Sequence, residues 1–287
     1  MPTVGGVANG ITTGRAIGCD AIQIFTSSPR QWKSQTQSDE TVRAFRAACE
    51  DCGIDVTISH DSYLINLAAP SDSEVATKSR AAFLDEMERS EALGVRYIVS
   101  HPGAHGGDGD DVGIERLVGN LDEIFEATAG YNVVIALETT AGQGTYLGGC
   151  FEHLNRILSS VKQPDRLAVC LDTCHIFAAG YDIRTGPVYH ATMEKFDSII
   201  GFDKLRVIHA NDSLKALGSH ADRHAHIGEG EIGCEAFHLL VNDDRLVGIP
   251  IIVETPESET MHERNVAKLR GYHGVAYTPA DVTAPAA

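Results

Sequence analysis

Six residues able to ligate a metal ion close successive apolar, strand-like runs: His60 after DVTIS, His101 after YIVS, Glu138 after VVIAL, Asp172 after LAVCL, His209 after LRVI and Glu254 after IIV. Such side chains need partners there, because a buried charge is costly unless it is paired or holds a metal. Two further clusters add ligands. In DTCH, Asp172 and His175 lie three residues apart, so the second can reach outward to another ion. In DRH, Asp222 and His224 alternate along an extended loop, which turns both to one side with Arg223 pointing away. Mixed imidazole and carboxylate groups suit Zn2+ or Mn2+ better than Mg2+ or Ca2+, which prefer oxygen shells. These groups exceed what one ion can use, so two or three ions are implied, with Glu138 as the natural bridge. Paired ions about 3.5 to 4 Å apart create a hydroxide nucleophile near neutral pH and clamp both oxygens of a phosphoryl transfer. Phosphate-ester hydrolysis is the reaction such a set suits best.

Positioning these groups takes a scaffold that gathers strand ends. Short β-branched runs separated by helical stretches predict parallel strands joined by helices, with every strand's C-terminal end on one face. The six strand-end groups lie 41, 37, 34, 37 and 45 residues apart. Each interval matches one unit of an α/β (β/α)8 TIM barrel, a fold of about 250 residues whose active site sits on that face. Seven strands are predicted, over residues 21–26, 55–60, 97–101, 133–138, 167–172, 205–210 and 250–254. The eighth should precede GGVANGI, where only MPTV remains, so the first strand is expected to be truncated or missing. Either MPTV forms a stub, or the true start lies upstream, or the wall is open beside the last strand and exposes edge hydrogen-bonding groups. Ser71 followed by Glu74 predicts a capping box for a long helix that stops at Gly94. HPGAHGGDGDDVG (101–113) reads as a flexible rim whose acidic end repels phosphate. One catalytic domain over residues 1–275 is expected, with a Pro- and Ala-rich tail, 276–287, expected to be disordered.

Composition bounds the partners. The chain carries 40 Asp and Glu against 23 Lys and Arg, a net charge of −17, and only seven of the basic residues are Lys. Taken alone this argues against nucleic acid, which a basic surface normally meets. An acidic, Lys-poor surface also suits a protein kept hydrated in concentrated salt, so a salt-rich cytoplasm is expected. No stretch approaches the ~20 apolar residues of a membrane span, and no signal pattern opens the sequence. A cytoplasmic monomer without a membrane partner is expected. The seven cysteines, an odd number, fit a reducing compartment. Cys49 and Cys52 form a lone CxxC inside a predicted helix ending at Gly53 and read as helix packing; Cys174, inside DTCH, is a minor candidate ligand.

Several motifs together carry a resemblance: HDSYLINL (60–67), HPG (101–103), ETTAGQG (138–144), LDTCHIFAAGYD (171–182), HANDS (209–213), DRHAHIGEGEIG (222–233) and ETP (254–256). They resemble the signatures of the endonuclease IV family of apurinic/apyrimidinic endonucleases, over roughly Gly5 to Gly271. The resemblance implies a trinuclear zinc enzyme of base-excision repair that cuts duplex DNA 5′ to an abasic site, leaving a 3′-hydroxyl and a 5′-deoxyribose phosphate. By the same resemblance His60, His101 and Glu138 hold the first zinc; Glu138, Asp172, His209 and Glu254 the second; and His175, Asp222 and His224 the third. Mn2+ at one or more of these sites is compatible with the donor set. Glu138 would orient the nucleophile. FTSSPRQW (25–32) and Tyr63–Leu64 are similar to the family's DNA-recognition loops, which gives Arg30, Tyr63 and Leu64 the role of wedging into the duplex. Thr139 stands where the family commonly has Asn, a change expected to loosen Glu138. A sugar isomerase or epimerase of the xylose-isomerase-like type is the alternative. It would use Glu138, Asp172, His209 and Glu254 but leave His60, His101, His175, Asp222 and His224 without a task. A catalytically idle lesion binder is disfavoured by the full set of ionic groups.

Overall fold

The computed structural model of the chain describes residues 1–33, 36–275 and 277. The expectation for the tail lies, Tyr277 apart, outside the described residues. Strands and helices alternate: α1 (Val7–Ala16), β1 (Ala21–Ile24), α2 (Asp39–Cys52), β2 (Val56–His60), α3 (Glu74–Leu93), β3 (Tyr97–Ser100), α4 (Asp110–Ala127), β4 (Val134–Glu138), α5 (Phe151–Ser160), β5 (Leu167–Asp172), α6 (Thr173–Ala179), α7 (Gly186–Ile199), β6 (Leu205–His209), β7 (Asp212–Ser213), β8 (His224–Ala225), α8 (Cys234–Val241), β9 (Ile251–Ile252) and α9 (Ser258–Tyr272). Seven strands form one parallel sheet in the order β1-β2-β3-β4-β5-β6-β9, curled into a nearly closed TIM barrel. The seven predicted runs are these strands, with the last shortened to two residues.

Alternation along each strand sorts the core. Ile58, Val99, Ala136, Cys170, Val207 and Ile252 pack together inside the barrel. Their neighbours Ile98, Ile135, Leu137, Val169, Leu171 and Ile208 join the layer shared with the helices. Side chains two residues apart share a face, so the residue two beyond each interior position also points to the axis. Those residues are His60, His101, Glu138, Asp172, His209 and Glu254. A slip of one residue in any strand would turn its ligand outward.

The wall is not continuous. Among the described residues no backbone pairing joins β1 to β9, and Met1–Val4 form no strand; of the three alternatives for the missing strand, the stub is not formed and the wall is open beside the last strand. The Met1 amino group donates instead to the Gln23 carbonyl, an edge group that a further strand would take. Across this seam the Gln23 side chain donates to Glu254 Oε1 at 2.6 Å. Behind β1, α1 lies very close: a Cβ on Gly14 would come 2.6 Å from Ile22 Cδ1.

Helix ends follow local chemistry, with one correction. Ser38 caps α2 at Thr41 N, and Gly53 ends it at φ 62°. Helix α3 stops at Gly94 as expected, but its cap is Ser73, which accepts from Ala76 N, rather than Ser71. The glycine-rich loop is also not the loose rim its composition suggested. Asn66 bonds both backbone groups of Ala104, at 2.9 and 3.0 Å, and His105 N donates to Thr145 O at 3.0 Å. His105 and His153 then face the Asp110 carboxylate at 3.4 and 3.3 Å.

Candidate metal centre

At the C-terminal mouth of the barrel the nine candidate ligands meet in three groups. The potential ligand atoms of His60, His101 and Glu138 lie within 4.8 Å of one another, as do those of Glu138, Asp172, His209 and Glu254, and those of His175, Asp222 and His224. Glu138 is common to two groups. Its carboxylate stands 3.3 Å from His60 Nε2, 3.1 Å from His101 Nε2, 2.9 Å from His209 Nδ1 and 3.4 Å from His175 Nδ1. Asp222 holds His175 Nε2 at 3.2 Å and His224 Nε2 at 3.1 Å. Of the third group, His175 sits on α6, Asp222 on the loop before β8, and His224 opens β8, which pairs antiparallel with β7.

The imidazoles are oriented as metal ligands commonly are, with one ring nitrogen satisfied by an oxygen acceptor and the other free for the ion. His60 Nδ1 donates to Asp61 O at 2.9 Å, His175 Nδ1 to Thr139 O at 2.8 Å and His224 Nδ1 to Glu254 O at 3.1 Å. The opposite nitrogen, His224 Nε2, is buried and stands 3.1 Å from Asp222 Oδ1 without the geometry of a hydrogen bond. The carboxylates are held as firmly. Asp172 Oδ1 caps α6 by accepting from His175 N at 2.9 Å, while Asn211 Nδ2 donates to Oδ2 at 2.7 Å. Asn211 Oδ1 in turn accepts from Glu254 N at 2.7 Å. The Thr139 hydroxyl accepts from Asp172 N at 2.9 Å and its carbonyl holds His175. This donor set fits divalent cations of the zinc or manganese type.

Electrostatics reflect the crowding. Burial works to raise the Glu138 pKa, but His209 and His101 outweigh it and hold the carboxyl well below its ordinary value. Burial opposes charge on His60 too, yet Glu138 raises it to about 9. His224, despite its burial, is raised to about 9 by Asp172 and Asp222. Against its burial, Glu254 is brought down to about 2, chiefly by His209. Two thiols border the site. Burial pushes Cys170 and Cys174 up to about 12, and each lies within ligand spacing of two of the nine, Cys170 with Glu138 and His209 and Cys174 with Asp172 and His224.

A cavity of about 530 Å³ opens beside the groups and is lined by Trp32, Tyr63, Leu64, Gln143, Tyr146, His101, His175 and Asp222. Tyr63 is 55% exposed, Leu64 half-buried and Arg30 exposed. The two rim loops are tied together, since Pro29 O accepts from Tyr63 N at 3.1 Å and from Ser62 Oγ at 2.9 Å. Two residues without a ligand-type side chain escaped the sequence reading: Gln23 and Asn211 orient the candidate ligands, and only their proximity in the fold reveals it. A further network ties the first rim loop to α3. Glu86 accepts from Thr26 Oγ1 at 2.6 Å and pairs with Arg89 at 2.7 Å, all three being buried.

Comparison with known proteins shows the family and the fold. The model of the xylose isomerase-like TIM barrel family matches residues 12–272. A protein named probable endonuclease 4 from Chloroflexus aggregans is 49% identical over 272 residues, 94% of this chain and 95% of that protein. Another of that name from Geobacter sulfurreducens is 48% identical over 259 residues, 90% and 87% of the two chains. Among solved structures, endonuclease IV from Thermus thermophilus superposes with a TM-score of 0.83 at 35% identity, over 93% of this chain and 94% of that one. A D-tagatose 3-epimerase-like protein reaches 0.70 at 19% identity, over 94% of each chain, a likeness of fold alone.

Proposed function

Because the chain belongs to the endonuclease IV family of DNA-repair enzymes, within the xylose isomerase-like TIM barrels, we propose that it hydrolyses the phosphodiester bond 5′ to abasic sites in duplex DNA. The products would be a 3′-hydroxyl and a 5′-deoxyribose phosphate. His60, His101 and Glu138 would hold one Zn2+, Glu138, Asp172, His209 and Glu254 a second, and His175, Asp222 and His224 a third, with Mn2+ able to replace zinc at one or more positions. Ions held there would supply a water deprotonated near neutral pH and positive charge for the phosphate and the departing oxygen. Glu138, kept anionic by its histidines, orients the attacking water. The buried neighbours of the candidate ligands keep the donor atoms aimed, so little reorganisation is needed as charge develops.

Tyr63 and Leu64, beside the exposed Arg30, would enter the duplex while the abasic nucleotide turns into the 530 Å³ cavity. A missing base leaves no pairing or stacking to overcome, which makes such nucleotides the easiest to extrude. The observation that carries this reading is the gathering of three ligand groups at one mouth, two of them sharing Glu138. A sugar epimerase centre would employ four of the nine groups and leave the rest idle. The test is metal content per chain, together with cleavage of a duplex carrying one tetrahydrofuran abasic analogue, before and after chelation. Three ions and chelator-sensitive cleavage are expected. An uncut duplex at saturating enzyme and zinc refutes the proposal.

A further inference from the structure

Gln23 lies buried on β1, and its amide makes two bonds whose polarities determine each other. The amide nitrogen faces Glu254 Oε1 at 2.6 Å, as it must, since a carboxylate that ligates a metal is deprotonated and can only accept. The amide oxygen is left for His209 Nε2, 2.8 Å away. An oxygen without a proton can only accept as well, so Nε2 must carry the hydrogen. A neutral imidazole protonated at Nε2 has its lone pair on Nδ1. Nδ1 is the atom aimed into the middle group, 2.9 Å from Glu138 Oε1 and 3.0 Å from Glu254 Oε2.

Backbone carbonyls fix His60, His175 and His224 in the other tautomer, protonated at Nδ1 with Nε2 left for the ion. His209 is fixed by a side chain that reaches over from the opposite edge of the sheet. The single bond from Gln23 to Glu254 also occupies Oε1 of that carboxylate and leaves Oε2 turned inward. It crosses the seam between β1 and β9, where no backbone pairing exists among the described residues.

We infer that Gln23 is a positioning residue of the middle group: it selects the ligating tautomer of His209, orients Glu254, and clasps the first strand to the last. The inference rests on the metal reading of Glu138, Asp172, His209 and Glu254. Substituting a residue that orients a metal ligand typically costs 10–100-fold in metal affinity. Gln23→Met keeps the length and apolar stem of the side chain while removing both bonds.

The experiment titrates Zn2+ into the chelated full chain against a competing indicator, and follows the melting of the chelated protein in parallel. In Gln23→Met, one ion of three is expected to bind about 10–100-fold more weakly, with the other two unchanged. Gln23→Leu serves if the methionine variant does not fold. A second measurement needs no variant. Long-range proton–nitrogen correlation of zinc-loaded, histidine-labelled wild type is expected to find His209 protonated at Nε2 and coordinated through Nδ1. Equal affinity for all three ions in the variant, a fall in melting temperature with unchanged zinc affinity, or the opposite tautomer overturns the inference alone. A wild type that binds no zinc overturns the metal reading and the inference with it.

Discussion

Replacing Glu138 by glutamine changes shape very little and charge decisively. Four histidine rings stand within 3.4 Å of this carboxylate. In the metal-free protein the substitution leaves His60, His175 and His209, all raised by neighbouring acids, without the carboxylate they face in a buried pocket. Breaking a buried pair by removing one partner costs about 3–5 kcal/mol. For a chain of this size each kcal/mol corresponds to roughly 2–4 °C in Tm, so the chelated variant should melt about 6–20 °C lower. In the loaded protein the neutral amide cannot serve both groups that share the carboxylate. Metal content should therefore fall towards a single ion, held by His175, Asp222 and His224, the group without Glu138. Metal catalysis is worth several kcal/mol, and about 4 kcal/mol corresponds to roughly 10³-fold in rate. The assay is single-turnover cleavage of the tetrahydrofuran duplex beside elemental analysis of the same preparation. A Glu138→Gln protein that keeps three ions and cleaves within about tenfold of wild type would refute the reasoning that makes this carboxylate the hub.

Other outcomes follow from other parts of the molecule. Tyr63→Ala should weaken binding of the abasic duplex by about 1–3 kcal/mol, the worth of one base–aromatic stack, with Tm unchanged because the ring is largely exposed; a lower Tm with intact affinity would make it a packing residue. The chelated protein should be most stable between about pH 4.5 and 6.5, the ordinary carboxylate and imidazole values. His60, raised to about 9, contributes fully below its unfolded pKa and loses that contribution as pH rises through 9, while Glu254, brought down to about 2, loses its contribution as pH falls towards 2. Denaturant midpoints across pH check this, and zinc should abolish the alkaline decline; a flat chelated profile would contradict it. Glu86→Ala strands the buried Arg89 guanidinium and should cost about 3–5 kcal/mol even with zinc bound, read by chemical unfolding; a loss below about 1 kcal/mol would show that pair to be incidental. With 23 Lys and Arg against 40 Asp and Glu, the log–log dependence of DNA affinity on salt should be shallow, and a slope as steep as that of basic DNA-binding proteins would contradict it.

What could be read from the sequence was whatever strand periodicity encodes. His60 follows interior Ile58 by two, Glu138 follows Ala136 and Asp172 follows Cys170, so a ligand-type residue at the end of an apolar run carries its own direction. Non-local facts were not legible. Gln23 finds its partners 186 and 231 residues away, and an amide in an apolar strand carries no mark of that. Glu86 and Arg89, three apart on a helix, look like an exposed pair until Thr26 is seen to close over them. The ribbon of β7 and β8 is two residues long on each side, too short for any periodicity. The glycine-rich rim reads as loose because the Asn66 that pins it belongs to another loop. Ser71 and Ser73 both offer a hydroxyl near the start of α3, and only the backbone turn decides that Ser73 uses it.

A tube slit along its length resists bending nearly as well as a whole one but twists far more readily. The line between the first and last strands is such a slit, and it ends at Gln23 and Glu254. The wall's torsional give is therefore concentrated beside Glu254, whereas the strands from β2 to β5 are paired without a break. His60, His101 and Glu138 ride on the rigid arc. Glu254 stands at the lip.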